Sequence, residues 1–248
     1  ELGEEVTLWG IIEDAPNWVP AIMPDRPLDP ALRNPGMRYL SASAPLLRAN
    51  AAGKLATGVD GICVYNFHCT NQLQNNGLVA DYTGLRQIAD AAMLRGKEKH
   101  YALATPGVNA PHWDVPCQLP AIIETGYRRE FQLAMGTEPA DTDLRGYVQL
   151  IYDRREGVPP LGVSINGGLP LFTGQPTRSY VLPVGKYSVL LETHQSLRFE
   201  FDPRQIVDGW NTFTVHNDEL TPDTLAPDTV NAVRLLSLEV FLTRGTVA

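Results

Sequence analysis

The sequence has no apolar run approaching the ~18 residues that a membrane-spanning helix requires, and no N-terminal signal-peptide pattern that would itself report export. Positive charge is scarce. Twenty Lys and Arg face 28 Asp and Glu, for a formal net charge of −8. Nucleic-acid backbones and anionic membranes need a basic face, so neither is expected as a partner, whereas a neutral ligand such as a sugar is compatible with this balance. Cysteine is also sparse: Cys63, Cys69 and Cys117 are an odd number without metal-type spacing, read as thiols with Cys63 buried in a strand. His68 and Cys69 are adjacent and point in different directions, and His112 with Cys117 lacks further ligands at useful spacing. No metal and no cofactor are expected. A phosphate loop, a dinucleotide fingerprint and a nucleophile elbow are all missing, which leaves no signal for nucleotide chemistry or Ser-His-Asp catalysis.

What is present is a globular composition, 44% hydrophobic and 19% charged, in a chain long enough for one large domain or two ordinary ones. Twenty-one glycines and 20 prolines fall mostly between periodic segments and imply long connections. The start at Glu1, directly ahead of a strand-like segment, reads as a processed or truncated end. Val6–Ile12 (VTLWGII) is an apolar run suited to a parallel strand covered on both faces. A proline-rich stretch over 14–43 has no periodicity. Ser43 and Pro45 then mark a helix start, Leu47, Ala51 and Leu55 recur at helical spacing, and Gly58 stops the helix. Val59–Phe67 (VDGICVYNF) is a second strand. A polar loop leads to a further helix over about 81–96, with Leu85, Ile88, Ala89, Ala92 and Met93 as its apolar stripe. The order β-α-β-α predicts parallel strands joined by right-handed crossovers.

The pattern changes near residue 121. Short alternating segments over Arg129–Ala134, Tyr147–Tyr152, Gly162–Ile165, Tyr187–Glu192, Leu197–Phe201, Asn211–Val215 and Val233–Leu242 are separated by turn signals such as Asn166-Gly167-Gly168 and Asp208-Gly209. Strands at this spacing predict an antiparallel β-sandwich. The expected organisation is α/β over 1–105, a linker over 106–120, and an all-β unit over 121–248.

The stretch LLRANAAGKLATGVDGICVYNF resembles the last helix-and-strand passage of bacterial glycoside-hydrolase-like proteins with a (β/α)₈ barrel. In those proteins an alanine-rich helix leads into a strand ending in two aromatics, Asn and Phe. GKEKHY, PCQLP, the INGGLP turn and the GWNTFTV strand are similar to the same architecture, so the likeness covers nearly the whole chain. It implies that VTLWGIIED and VDGICVYNF are about the seventh and eighth barrel strands, followed by a galactose-binding-like or jelly-roll sandwich. Two units do not close an eight-stranded barrel, so a polypeptide completing it, the N-terminal part or another copy, is an expected partner. A secreted or periplasmic location is also implied by the resemblance.

Barrel active sites lie at the carboxyl ends of the strands. Alternation places Thr7, Trp9, Ile11 and Glu13 on one face of the first strand, and Val6, Leu8, Gly10 and Ile12 on the other. The second set is apolar and suits the outer helices, which aims Glu13 inward at the rim. Many retaining enzymes of the resembled type carry their nucleophile at the end of strand seven, and the resemblance therefore makes Glu13 the candidate nucleophile. The simpler reading is that Glu13 and Asp14 only begin a polar loop. Tyr65, Asn66 and His68, at the end of the second strand, combine an aromatic face with groups that bond sugar hydroxyls, and Trp18 is a candidate wall of the same cleft. Barrel-core aromatics and a local loop core are the plainer alternatives. The general acid belongs to strand four, outside this chain. Hydrolysis of a polysaccharide or glycoside is the expected activity, and a non-catalytic carbohydrate-binding or structural protein with a degenerate barrel is the alternative.

Overall fold

The structure is a computed structural model, and it describes residues 7–13, 44–65, 82–104, 117–177, 194–217 and 232–245. It is mostly β-sheet with few helices. Strand β1 (Trp9–Glu13) and strand β2 (Gly61–Tyr65) form a parallel pair, with Trp9 opposite Gly61, Ile11 opposite Cys63 and Glu13 opposite Tyr65. Helix α1 (Ala44–Ala56) connects back between them, as the β-α-β pattern predicts. Its end is set by Gly58, which adopts φ +91° where a side chain would be strained. The Asp60 carboxylate then accepts from the Leu8 N–H at 2.7 Å, while the Asp60 N–H donates to the Leu8 carbonyl. This two-way clamp fixes the register of the pair. Ser43, the expected cap, lies outside the described residues.

The expected 81–96 helix is instead two short helices, α2 (Tyr82–Leu85) and α3 (Ala91–Leu94). Asp90 is the reason. It takes extended dihedrals, and its carboxylate accepts from the Ala92 N–H, so it caps a new helix rather than continuing an old one. Ile88 and Leu94 are buried, but Met93 is half exposed, so the single stripe does not form.

Strand β3 (Lys99–Ala104) follows, where the sequence suggested the run from helix into connector. The remaining strands are β4 (Ala121–Ile123), β5 (Arg128–Met135), β6 (Arg145–Asp153), β7 (Leu161–Ile165), β8 (Gln175–Thr177), β9 (His194–Phe201), β10 (Gly209–Asn217) and β11 (Val233–Thr243). Each expected segment from residue 121 on is found as a strand except Tyr187–Glu192, which lies outside the described residues. They form two antiparallel arrays, β5-β10-β7 and β3-β11-β6-β9-β8, with β4 on the first part of β11. The Asn166-Gly167 turn after β7 has φ +50° and +75° and closes with Gly168 N–H on the Ile165 carbonyl, as an Asn-Gly reversal should.

One apolar core runs through the molecule. It includes Ile12 of β1, Leu47 and Ala51 of α1, Phe131 and Phe213 of the smaller array, and Leu150 and Leu238 of the larger. Helix α1 is its hinge point. Leu47, Ala49, Ala51, Ala52 and Gly53 are all buried, more of its circumference than a single stripe would cover. Small side chains permit this: a Cβ on Gly53 would stand 2.4 Å from the Ala134 carbonyl oxygen on β5, and one on Gly10 of β1 would stand 2.7 Å from Lys54.

Candidate functional site

The parallel pair fixes where the rim residues stand. Glu13 and Tyr65 are Cα partners at the carboxyl ends of adjacent parallel strands, so the structure brings these two expected site residues together. Trp18, Asn66 and His68 lie outside the described residues. The two faces of the pair differ as alternation requires. Gly10 and Ile12 turn toward α1, with Ile12 only 1% exposed, and Trp9 and Ile11 are 63% and 62% exposed on the opposite face. The Trp9 ring reaches across the pair over Gly61, where a Cβ would be 2.8 Å from the ring. Cys63 shares that face and is exposed, not buried as its strand position suggested. The cause is that helix cover exists on one side of β2 only among the described residues.

A small cleft of about 100 Å³ lies between α1, α3, the residues after β5 and the residue before β10, lined by Ala52, Leu55, Arg95, Lys99, Thr137 and Asp208. Lys99 is its most unusual group. Its ammonium is buried and ion-paired to Glu138 at 2.5 Å, and it also donates to the carbonyls of Leu94 and Lys97. Burial pulls the Lys99 pKa below the usual lysine range, and the Glu138 carboxylate only partly opposes this. With three acceptors already taken, Lys99 is a tie between α3 and the loop after β5, not a catalytic amine.

A second polar cluster occupies the far face of the larger array, where Glu239, Gln149 and Arg198 are aligned in register across β11, β6 and β9. His100 Nε2 stands 2.9 Å from Glu239 and its ring stacks on Phe241. Gln149 Oε1 accepts from Arg198 Nε and Nη2, and its Nε2 is buried without a hydrogen-bond partner. Burial lowers the Arg198 pKa from its ordinary value, against the nearby Tyr147 and Glu239. Sequence reasoning passed over these residues. The available signal was Ser237, Glu239 and Phe241 alternating with Leu238, Val240 and Leu242 in a strand otherwise apolar.

Asn211, in the GWNTFTV strand, is structural. It is fully buried, and its amide bonds Val207 and Gly209 while its carbonyl accepts from Asn166 and the Val207 N–H. Trp210 beside it is 63% exposed. Among the described residues no group of three His, Cys, Asp or Glu side chains is placed to hold a metal ion, and no helix is long and apolar enough to cross a membrane. No protein-family model matches the chain, and no curated protein matches it either.

Proposed function

We propose that this chain is the C-terminal portion of a glycoside-hydrolase-like protein acting on a polysaccharide or glycoside, with β1 and β2 belonging to a (β/α)₈ barrel and the antiparallel arrays forming an accessory β-sandwich. The observation that carries the reading is the parallel, in-register placement of Glu13 beside Tyr65 at the carboxyl ends of strands whose crossover helix packs on one face. In a barrel of this kind the helix side is the outside, and the Trp9 and Ile11 side is the interior that further β/α units cover. Glu13 is then the nucleophile at the rim. Its general acid comes from the polypeptide that completes the barrel, because the two-carboxylate reaction needs a partner about 5 Å away. Trp18, Tyr65, Asn66 and His68 are the proposed sugar contacts around it.

The test is turnover of aryl glycosides and dye-linked polysaccharides by the native polypeptide that carries this chain, followed by trapping with 2-deoxy-2-fluoro glycosyl fluorides. The expected result is a glycosyl label on the peptide bearing Glu13, and a loss of several orders of magnitude in turnover in Glu13→Gln, which keeps size but removes the attacking charge. Unchanged turnover in Glu13→Gln removes Glu13 from the mechanism. Absence of both turnover and label removes the hydrolase reading and leaves the alternative, a non-catalytic carbohydrate-binding or structural protein with a degenerate barrel.

A further inference from the structure

The cleft between α1 and α3 carries opposite charge on its two walls. On one wall Asp208 uses its Oδ1 to accept from the Thr137 N–H at 2.7 Å and the Thr137 hydroxyl at 3.1 Å, and its Oδ2 accepts no hydrogen bond among the described residues. Gly209, at φ +92°, brings the chain beside the end of α1, where a Cβ would stand 3.5 Å from the Ala56 carbonyl oxygen. Ala56 is the last residue of that helix and lines the cleft. Its carbonyl takes none of the closing bonds, because Thr57, Gly58 and Val59 donate to Gly53, Lys54 and Leu55. A free carbonyl at the C-terminal end of a 13-residue helix carries partial negative charge. Asp208 and Ala56 together therefore make a wall that attracts a cation.

The other wall is the reverse. Arg95, the residue that ends α3, lines the cleft and makes no hydrogen bond or ion pair among the described residues. Lys99 adds no net charge, since its ammonium is taken up by Glu138 and the carbonyls of Leu94 and Lys97. Ala52, Leu55 and Leu94 make the rest of the lining apolar. Size then limits the occupant. A cavity of ~150 Å³ holds benzene, so one of about 100 Å³ takes roughly four to six heavy atoms. A cation-seeking wall, a free guanidinium facing it and an apolar lining within that space match an ammonium and a carboxylate joined through a single carbon. Glycine and alanine have that chemistry and that size.

We infer that this cleft binds a small free amino acid, with its ammonium on Asp208 and the Ala56 carbonyl and its carboxylate on the Arg95 guanidinium, whose planar fork suits two parallel N–H bonds to a carboxylate. The site is separate from Glu13 and does not depend on hydrolysis there. The test is a titration of the ¹⁵N-labelled 248-residue chain with glycine and L-alanine, read at the Thr137 amide and the Arg95 Nε–H by two-dimensional NMR. Acetate, methylammonium and L-leucine serve as comparison ligands. Saturable shifts with glycine or alanine are expected, at concentrations about tenfold or more below those needed for acetate or methylammonium alone. Arg95→Gln and Asp208→Asn should each weaken binding by about tenfold or more. Both positions are exposed, and asparagine keeps the oxygen that accepts from Thr137, so the fold is retained; circular dichroism checks this. Glu13→Gln leaves the titration unchanged. The proposal is overturned by the absence of saturable shifts up to the solubility of glycine, or by binding that survives both Arg95→Gln and Asp208→Asn. Acetate binding as tightly as glycine makes the cleft an anion site and overturns it too, as does L-leucine binding as tightly as L-alanine, which the volume does not allow.

Discussion

The parallel pair and the antiparallel arrays satisfy their apolar side chains in different ways. In the arrays, strands such as β6 and β11 are buried along almost their whole length, and Val148, Leu150, Leu238 and Val240 have no exposed surface. In the pair, among the described residues, only the α1 side is closed, and Trp9 and Ile11 are more than half exposed. Parallel strands are ordinarily covered on both faces. The difference is that among the described residues the arrays bury both faces of their central strands, while the pair buries one; under the proposed function, further β/α units cover the other. Helix α1 joins the two regimes, because it is the outer layer of the pair and a core element of the arrays at once.

The sharpest way to break this comparison is to weaken each side at one apolar position and compare the cost. Phe213→Ala, at a site with no exposed surface in the middle of β10, should destabilise the chain by about 3–5 kcal/mol. Ile11→Ser on the open face of the pair should stay within about 0.5 kcal/mol in the chain studied alone. Urea titration followed by circular dichroism measures both. Comparable losses would mean that the pair is packed as fully as the arrays.

A smaller effect is expected at the joint. Gly53→Ala places a methyl against the Ala134 carbonyl, a backbone atom that has little room to move. The overpacking cost of roughly 1–3 kcal/mol exceeds the about 1 kcal/mol that alanine gains over glycine within a helix. A net loss of about 1 kcal/mol in the same titration is the expectation, and a gain would show that α1 packs loosely against β5.

The smallest effect concerns Glu98, which ties the start of β3 to the end of β11. Burial pushes its carboxyl pKa up, but the Thr243 hydroxyl, the Arg244 N–H and the charges of Arg244 and Arg48 outweigh this and hold it below the usual carboxylate range. A folded value below the unfolded one means that the native state binds fewer protons. The stabilisation is therefore complete above the unfolded carboxylate pKa and is lost as the pH falls through the lowered folded value. Glu98→Gln should lower stability at neutral pH and flatten the acid limb, as read from urea midpoints carried from neutral into acid. An unaltered acid limb would assign the limb to other carboxylates.

The sequence was most legible where burial produces periodicity. Alternation located Val233–Leu242 and Arg129–Ala134 to within a residue of β11 and β5, and the alanine-rich spacing located α1. It was least legible where charge is buried. Lys99 and His100 hid β3, because their partners Glu138 and Glu239 lie far away in the chain and only the fold brings them near. The second apolar stripe failed for a local reason, since a capping Asp90 outranks helical spacing. Of the rim, the β-α-β order was enough to place Glu13 beside Tyr65, whereas Trp18, Asn66 and His68 fall outside the described residues.

The contrast between the two regions is tested most directly by native-state hydrogen exchange, resolved by residue, on the purified 248-residue chain. The amides of Trp9–Glu13 and Gly61–Tyr65 should exchange far faster than those of β6 and β11, because a two-stranded sheet covered on one face, as this pair is among the described residues, opens locally without unfolding the core. Protection in β1 and β2 equal to that of β6 and β11 would contradict the account, since the pair would then be a finished part of this chain, with no place for further β/α units beside Trp9 and Ile11.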